Sequence, residues 1–182
     1  VVSSHRWHGH ALAAGVPPSK LFAHLLGRSG STCLADRSRR FLGGSVTGGG
    51  NAGIAAGTAA AHQLRGVQGA VVVFLGDDAP DAGAVLETLR LAARQRLPLL
   101  AVCANTGGRD LGRSPVDVAT GLGVPAVVAE GNDVEEVATA AGGLLEEVRG
   151  GGGPRFLEAL TYPRDGHDEA RWWSAHDPIV LA

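Results

Sequence analysis

Three uninterrupted apolar runs constrain this chain more than any other feature. Residues 71–75 (Val-Val-Val-Phe-Leu), 97–103 and 124–129 lack the alternate polar positions of a strand with one wet face. Such runs are the pattern of strands buried on both faces. A fourth strand is expected at 156–162, after the glycine turn of residues 150–153. Helical segments fall between them. Residues 84–96 place Val85, Leu86, Leu89 and Ala92/Ala93 on one face, 116–122 read as a short helix, and 134–149 as a longer one. Alternating strands and helices imply an α/β fold, an open parallel sheet with helices on both faces.

The chain before this alternation is less regular. Pro17-Pro18-Ser19 ahead of an apolar stripe ending at Gly27 reads as a helix start and stop. Residues 29–44 are polar, Arg-rich and non-periodic, and are expected to form a loop. Gly48-Gly49-Gly50 then opens an Ala-rich helix, 51–63, whose small side chains suit close packing against another backbone. With 182 residues and no long linker or repeat, the chain is expected to be one domain, 1–182.

Composition excludes several function classes. The 16 Lys+Arg nearly balance 18 Asp+Glu, which gives no basic face for nucleic acid. No apolar run approaches the roughly 20 residues of a membrane-spanning helix. Cys33 and Cys103 make neither a disulfide framework nor a zinc pattern, so a reducing, cytoplasmic setting is expected.

In an open parallel sheet, ligands bind beyond the carboxyl ends of the strands. Gly76-Asp77-Asp78, Asn105-Thr106-Gly107 and Arg164-Asp165-Gly166-His167 all fall there. Asp77 and the Asn105/Thr106 pair end successive strands and are expected to converge. A carboxylate with neutral oxygens is a Mg²⁺-type donor set, and Mg²⁺ commonly bridges to phosphate. The other reading of Gly-Asp-Asp is a turn or a helix cap. His5, Arg6, His8 and His10 crowd into six residues; Arg6 and the histidines read as anion contacts rather than as a zinc cluster. His167 reads as a general acid/base or charge stabiliser, or else as a solvated loop histidine.

Together these motifs resemble the alpha subunit of thiamine diphosphate-dependent 2-oxo acid dehydrogenases, the pyruvate, branched-chain and acetoin enzymes, in a shortened and diverged form. The stretch His5-Arg6-Trp7-His8-Gly9-His10-Ala11-Leu12-Ala13-Ala14-Gly15-Val16-Pro17-Pro18 carries the resemblance, as do the glycine-rich residues 43–57 and Gly76-Asp77. Leu97-Pro98, Gly131-Asn132-Asp133-Val134, Leu157-Glu158-Ala159, Thr161-Tyr162, Gly166-His167 and Asp177-Pro178-Ile179 follow in register.

The resemblance implies the thiamine diphosphate-binding fold and its diphosphate-binding domain. It implies an alpha component of a two-subunit enzyme that decarboxylates a 2-oxo acid and transfers the acyl carbanion, as a dehydrogenase or an acyloin-forming carboligase. By position it implies cofactor contacts at His5, Arg6, His8, Val46, Gly48, Gly76, Asp77, Asp78, Ala79, Asn105 and Thr106. It implies Mg²⁺ on Asp77, Thr106 and Gly108, and His167 as the catalytic loop histidine. The implied partners are a beta subunit carrying the pyrimidine-binding domain, in an alpha/beta heterotetramer, a small 2-oxo acid, and a lipoyl acyltransferase as one possible acceptor.

The family pattern is broken at several points. Asp78 stands for a Gly, Thr106 for the usual Asn metal ligand, His5 for a Tyr, and Asp168 for a Ser. These departures keep a second reading open: a non-catalytic alpha-like scaffold with a degenerate metal site.

Overall fold

The computed structural model describes residues 1–28, 34–44, 47, 49–77, 79, 81–107, 113–162 and 177–181. Four strands form one all-parallel sheet in the order β1-β2-β4-β3: β1 (Val71–Gly76), β2 (Leu99–Asn105), β3 (Ala126–Glu130) and β4 (Arg155–Leu160). The register pairs Val71 with Leu99, Leu100 with Arg155, and Ala126 with Phe156. The helices are α1 (His8–Ala13), α2 (Pro18–Leu25), α3 (Gly50–Leu64), α4 (Gly83–Gln95), α5 (Pro115–Gly121), α6 (Val134–Arg149) and α7 (Pro178–Leu181).

Each face of the sheet has its own core. On one, Ala52, Ala55, Ala56 and Ala59 of α3 and Val85, Leu89 and Ala92 of α4 bury Val73, Leu99, Ala101 and Phe156. Alanine is what permits α3 to lie so near its neighbours. On the other face, Leu144 of α6 packs with Leu100, Val102, Ala129 and Leu157. The helix boundaries follow local chemistry. Asp133 caps α6 by accepting from the Glu135 and Glu136 amides, and Ser114 caps α5 by accepting from Asp117 N.

Burial on both faces holds for β2, where five consecutive residues are buried, but not for β1 and β3. In β1 only Val71, Val73 and Leu75 are buried, and in β3 Val127 and Val128 are exposed. β3 is the last strand of the sheet, so fewer elements cover it. β1 gains a neighbour that the apolar pattern does not reveal: Val2 bridges to Val73 in parallel, and Ser3 to Gly44. The expected loop 29–44 also holds a one-turn 3₁₀ helix, Arg37–Arg39, and is pinned by buried Leu34 and Phe41.

Candidate cofactor and metal site

Asp77 and Thr106 meet at the carboxyl end of the sheet. Gly76 pairs with Ala104 across β1 and β2, so the residues that follow each strand emerge side by side. The Thr106 hydroxyl donates to Asp77 Oδ2. The helix that follows β1 takes no side-chain cap: its N-cap residue is Ala82, and no side chain caps it. Asp77 is therefore no helix cap. It is a half-buried carboxylate beside a hydroxyl, close enough for one small cation to reach both oxygens. Mg²⁺ is commonly held by one or two carboxylates and completes its shell with water and phosphate oxygens, so this donor set fits it.

Two helices begin at the same end. Helix α3 runs down into β1 and α4 runs down from it, so both amino termini lie near Asp77. They touch there. A Cβ on Gly49 would sit 2.8 Å from Val85 Cγ2 and 3.0 Å from the Ala82 Cβ, and Gly49 has φ +71°. Both facts require glycine. Helix amino termini favour phosphate oxygens, through free N–H groups and the helix dipole. Ala79, in the turn between Asp77 and α4, is buried and packs in the core below.

Beneath Thr106 lies a group that motif reading leaves without a role. Glu158, in the middle of β4, is 2% exposed. Its Oε1 accepts from Asn105 Nδ2 at 2.7 Å and its Oε2 from Val116 N at 3.0 Å. Asn105 Oδ1 accepts from Gly107 N at 2.9 Å, and the Asn105 carbonyl takes Thr161 N at 2.7 Å. Asn105 thus faces the sheet and shapes the turn from behind. The signal for Glu158 was in the sequence: an acid inside an otherwise apolar strand must find donors or not be buried.

The amino-terminal cluster divides. His5 and Arg6 are exposed on the turn by which the chain leaves the sheet edge, and His8, also exposed, is the first residue of α1. That turn follows the parallel bridge at Val2, so it lies toward the end that Asp77 occupies. Trp7 is buried, with His8 stacked on it at 4.4 Å. His10 turns inward. It stacks on Phe74 at 3.7 Å, and its Nδ1 lies 2.6 Å from Ser3 Oγ. Burial pushes its pKa below the ordinary histidine value. Buried Asn51 donates to the Ser3 carbonyl, while its Oδ1 has no partner among the described residues. Val46, Gly48, Asp78, Gly108 and His167 lie outside the described residues.

Comparison with known proteins decides the family. The model of the dehydrogenase E1 component matches residues 1–171. The chain belongs to the dehydrogenase E1 component family. Among its relatives is the alpha subunit of an acetoin:2,6-dichlorophenolindophenol oxidoreductase of Cupriavidus necator, 36% identical over 93% of this chain and 56% of that one. Another is the pyruvate dehydrogenase E1 component subunit alpha of Zymomonas mobilis, 34% identical over 98% of this chain and 58% of that one. This E1 chain therefore spans little more than half the length of these relatives. Among solved structures, a thiamin diphosphate-dependent enzyme from Mycobacterium smegmatis superposes with a TM-score of 0.57 at 21% identity. It covers 68% of this chain and 24% of that one, a likeness of fold alone. The family resemblance and the α/β parallel-sheet class read from sequence both stand. Among the described residues no helix is long and apolar enough to cross a membrane.

Proposed function

We propose that this chain forms, as a single domain, the cofactor-holding part of the alpha component of a thiamine diphosphate-dependent 2-oxo acid enzyme. One observation carries the reading: in an E1-family chain, Asp77 and Thr106 close together at the carboxyl end of a parallel sheet, where two helices begin. Asp77 and Thr106, with Gly108, would hold Mg²⁺ between the chain and the diphosphate. Arg6 would add a cation to the phosphate end, and His5 and His8 would flank it. Gly76, Asp78, Ala79, Val46 and Gly48 would line the approach, and His167 would move a proton or steady charge at the substrate. When bound, thiamine diphosphate supplies the nucleophile and electron sink for loss of CO₂ from a 2-oxo acid and passage of the acyl carbanion to an acceptor. The relatives named above are alpha subunits of an acetoin oxidoreductase and a pyruvate dehydrogenase, which supports dehydrogenase chemistry; acyloin-forming carboligation stays in the reading as the other transfer.

A beta subunit bearing the pyrimidine-binding domain completes the active site in this reading, in an alpha/beta heterotetramer, with a lipoyl acyltransferase as an acceptor in the dehydrogenase case. The outer side of α3 supports a partner: Gly53, Ile54, Gly57 and Ala61 lie exposed along it. A cytoplasmic setting belongs to the same proposal.

The scaffold reading has one observation in its favour. Thr106, where the family pattern has an Asn metal ligand, spends its hydroxyl on a hydrogen bond to Asp77 Oδ2. Titrating thiamine diphosphate into the parent and Thr106→Asn, each with its beta subunit, with and without Mg²⁺, separates the two. Mg²⁺-dependent parental binding is expected, changed no more than about threefold by Thr106→Asn, which is well under 1 kcal/mol. A parent that binds nothing while Thr106→Asn binds tightly would establish the scaffold instead.

A further inference from the structure

We propose that Glu158 is a positioning residue for the metal-bearing turn, an inference that rests on the cofactor reading above. A carboxylate in the middle of a buried strand is costly unless donors compensate it. Its neighbours on β4, Leu157 and Ala159, are both buried and apolar. An apolar residue would pack there without the cost of burying a charge, so packing does not explain an acid. Its two hydrogen bonds do.

Both bonds reach the connection from β2 to α5, one at each end. Oε1 holds Asn105, the last residue of β2, at 2.7 Å, and Oε2 holds Val116 N, in the first turn of α5, at 3.0 Å. The carboxylate ties down the two ends of the segment that starts with Thr106. It also orients the Asn105 amide. A carboxylate accepts only, so Nδ2 must face Glu158 and Oδ1 must face away, where it accepts from Gly107 N at 2.9 Å. Were the amide reversed, Nδ2 would meet another N–H donor. Thr106 sits between these two anchored neighbours, and its hydroxyl is delivered to Asp77. A continuous path of hydrogen bonds and one turn of backbone therefore runs from Glu158 to the proposed Mg²⁺ ligands, without Glu158 touching cofactor or metal.

The test exploits polarity. In Glu158→Gln one of the two acceptors becomes a donor, so either Asn105 Nδ2 or Val116 N faces an N–H. Adding Asn105→Asp reverses the first bond. The introduced amide would be the donor and the introduced carboxylate the acceptor. The second carboxylate oxygen would still be free for Gly107 N, and the amide carbonyl for Val116 N. Mg²⁺-dependent thiamine diphosphate affinity would be measured by calorimetry on the parent, E158Q, N105D and the double variant, each assembled with its beta subunit. Amide hydrogen exchange at Gly107 and Val116 would be followed alongside.

E158Q is expected to weaken cofactor binding about tenfold or more, the loss of one charge-assisted hydrogen bond, and to speed exchange at both amides. The double variant is expected to recover to within about threefold of the parent, since contacting residues are energetically coupled. E158Q binding like the parent would overturn the proposal. So would a double variant as weak as the two single changes combined, because a purely structural loss is not rescued by reversing a dipole. A parent that binds no cofactor at all would overturn the cofactor reading instead. In that event exchange at Gly107 and Val116, accelerated in E158Q and restored in the double variant or not, decides whether Glu158 sets the turn.

Discussion

The two ends of the parallel sheet are built from opposite materials. At the carboxyl end the helices begin, and acids and hydroxyls collect there: Asp133 and Ser114 as caps, Glu158 on the first turn of α5, and Asp77 against Thr106. At the amino end the helices finish, and arginines collect. Arg65 is the C-cap residue of α3, Arg96 that of α4, and Arg149 is the last residue of α6. Arg96 donates to the Gly151 carbonyl at 2.8 Å. A cleft of about 740 Å³ at this end is lined by Arg37, Arg40, Arg65 and Arg149. The helix dipole accounts for both collections, since anions favour its amino terminus and cations its carboxyl terminus. Arg65 and Arg149 of this cleft are thus explained as helix-end partners, whereas Arg37 and Arg40 belong to the one-turn 3₁₀ helix and its end. At the other end the dipole accounts for Asp133 and side-chain capping for Ser114, but Asp77 caps no helix among the described residues. Polar residues that helix physics does not consume are the ones to examine for function.

The sharpest way to break this contrast is to remove one group from each end. Asp77→Ala is expected to weaken Mg²⁺-dependent thiamine diphosphate binding by roughly a hundredfold or more, the loss of a direct carboxylate ligand. Arg149→Ala is expected to leave it unchanged and to move stability by no more than about 0.5 kcal/mol. Calorimetry and urea denaturation of both variants check this. Equal effects of the two on binding would erase the distinction between the ends.

A smaller effect tests the junction that brings α3 and α4 together. Gly49→Ala places a methyl group in a left-handed backbone and against Val85. A loss of about 1–3 kcal/mol is expected from denaturant melts. A neutral result would mean that the two helix starts have room to part.

The smallest effect concerns the amino segment and is a matter of pH. Burial lowers the His10 pKa from its ordinary value of 6.5, so the folded chain holds this imidazole neutral. The unfolded chain binds the proton first as pH falls. The stability that His10 contributes is therefore full above about pH 6.5 and declines below it, toward the lower folded pKa. Melts compared at neutral and mildly acidic pH should show this decline in the parent and less of it in His10→Gln. Identical pH dependence would remove His10 from the account of the Ser3–Phe74 contact.

Much of the architecture was legible because apolar periodicity and capping act locally. Residues 134–149 read as a helix, and α6 spans Val134–Arg149 between an Asp133 cap and the glycines that begin at Gly150. Asp77 and Thr106 were legible for a similar reason: a polar residue directly after a buried strand has one place to go, the carboxyl rim. Which strand lies at the edge was not legible. Val127 and Val128 look like core in a linear sequence, yet exposure depends on whether another element covers them, and order in a sheet is a long-range property.

The same division separates the sequence's own contribution from that of the tertiary structure. Alternating apolar strands and capped helices determined a parallel α/β sheet and the end at which its ligand residues emerge, because burial pattern and backbone capping are set by residues a few positions apart. Assembly decided that Val2 joins β1, that His10 stacks on Phe74, and that Glu158 grips Asn105 and Val116. Glu158 and Val116 lie 42 positions apart, and Val2 and Val73 farther still. A buried charge or an edge bridge is stable only once distant segments supply its donors, and no local pattern in the chain records which segments those will be.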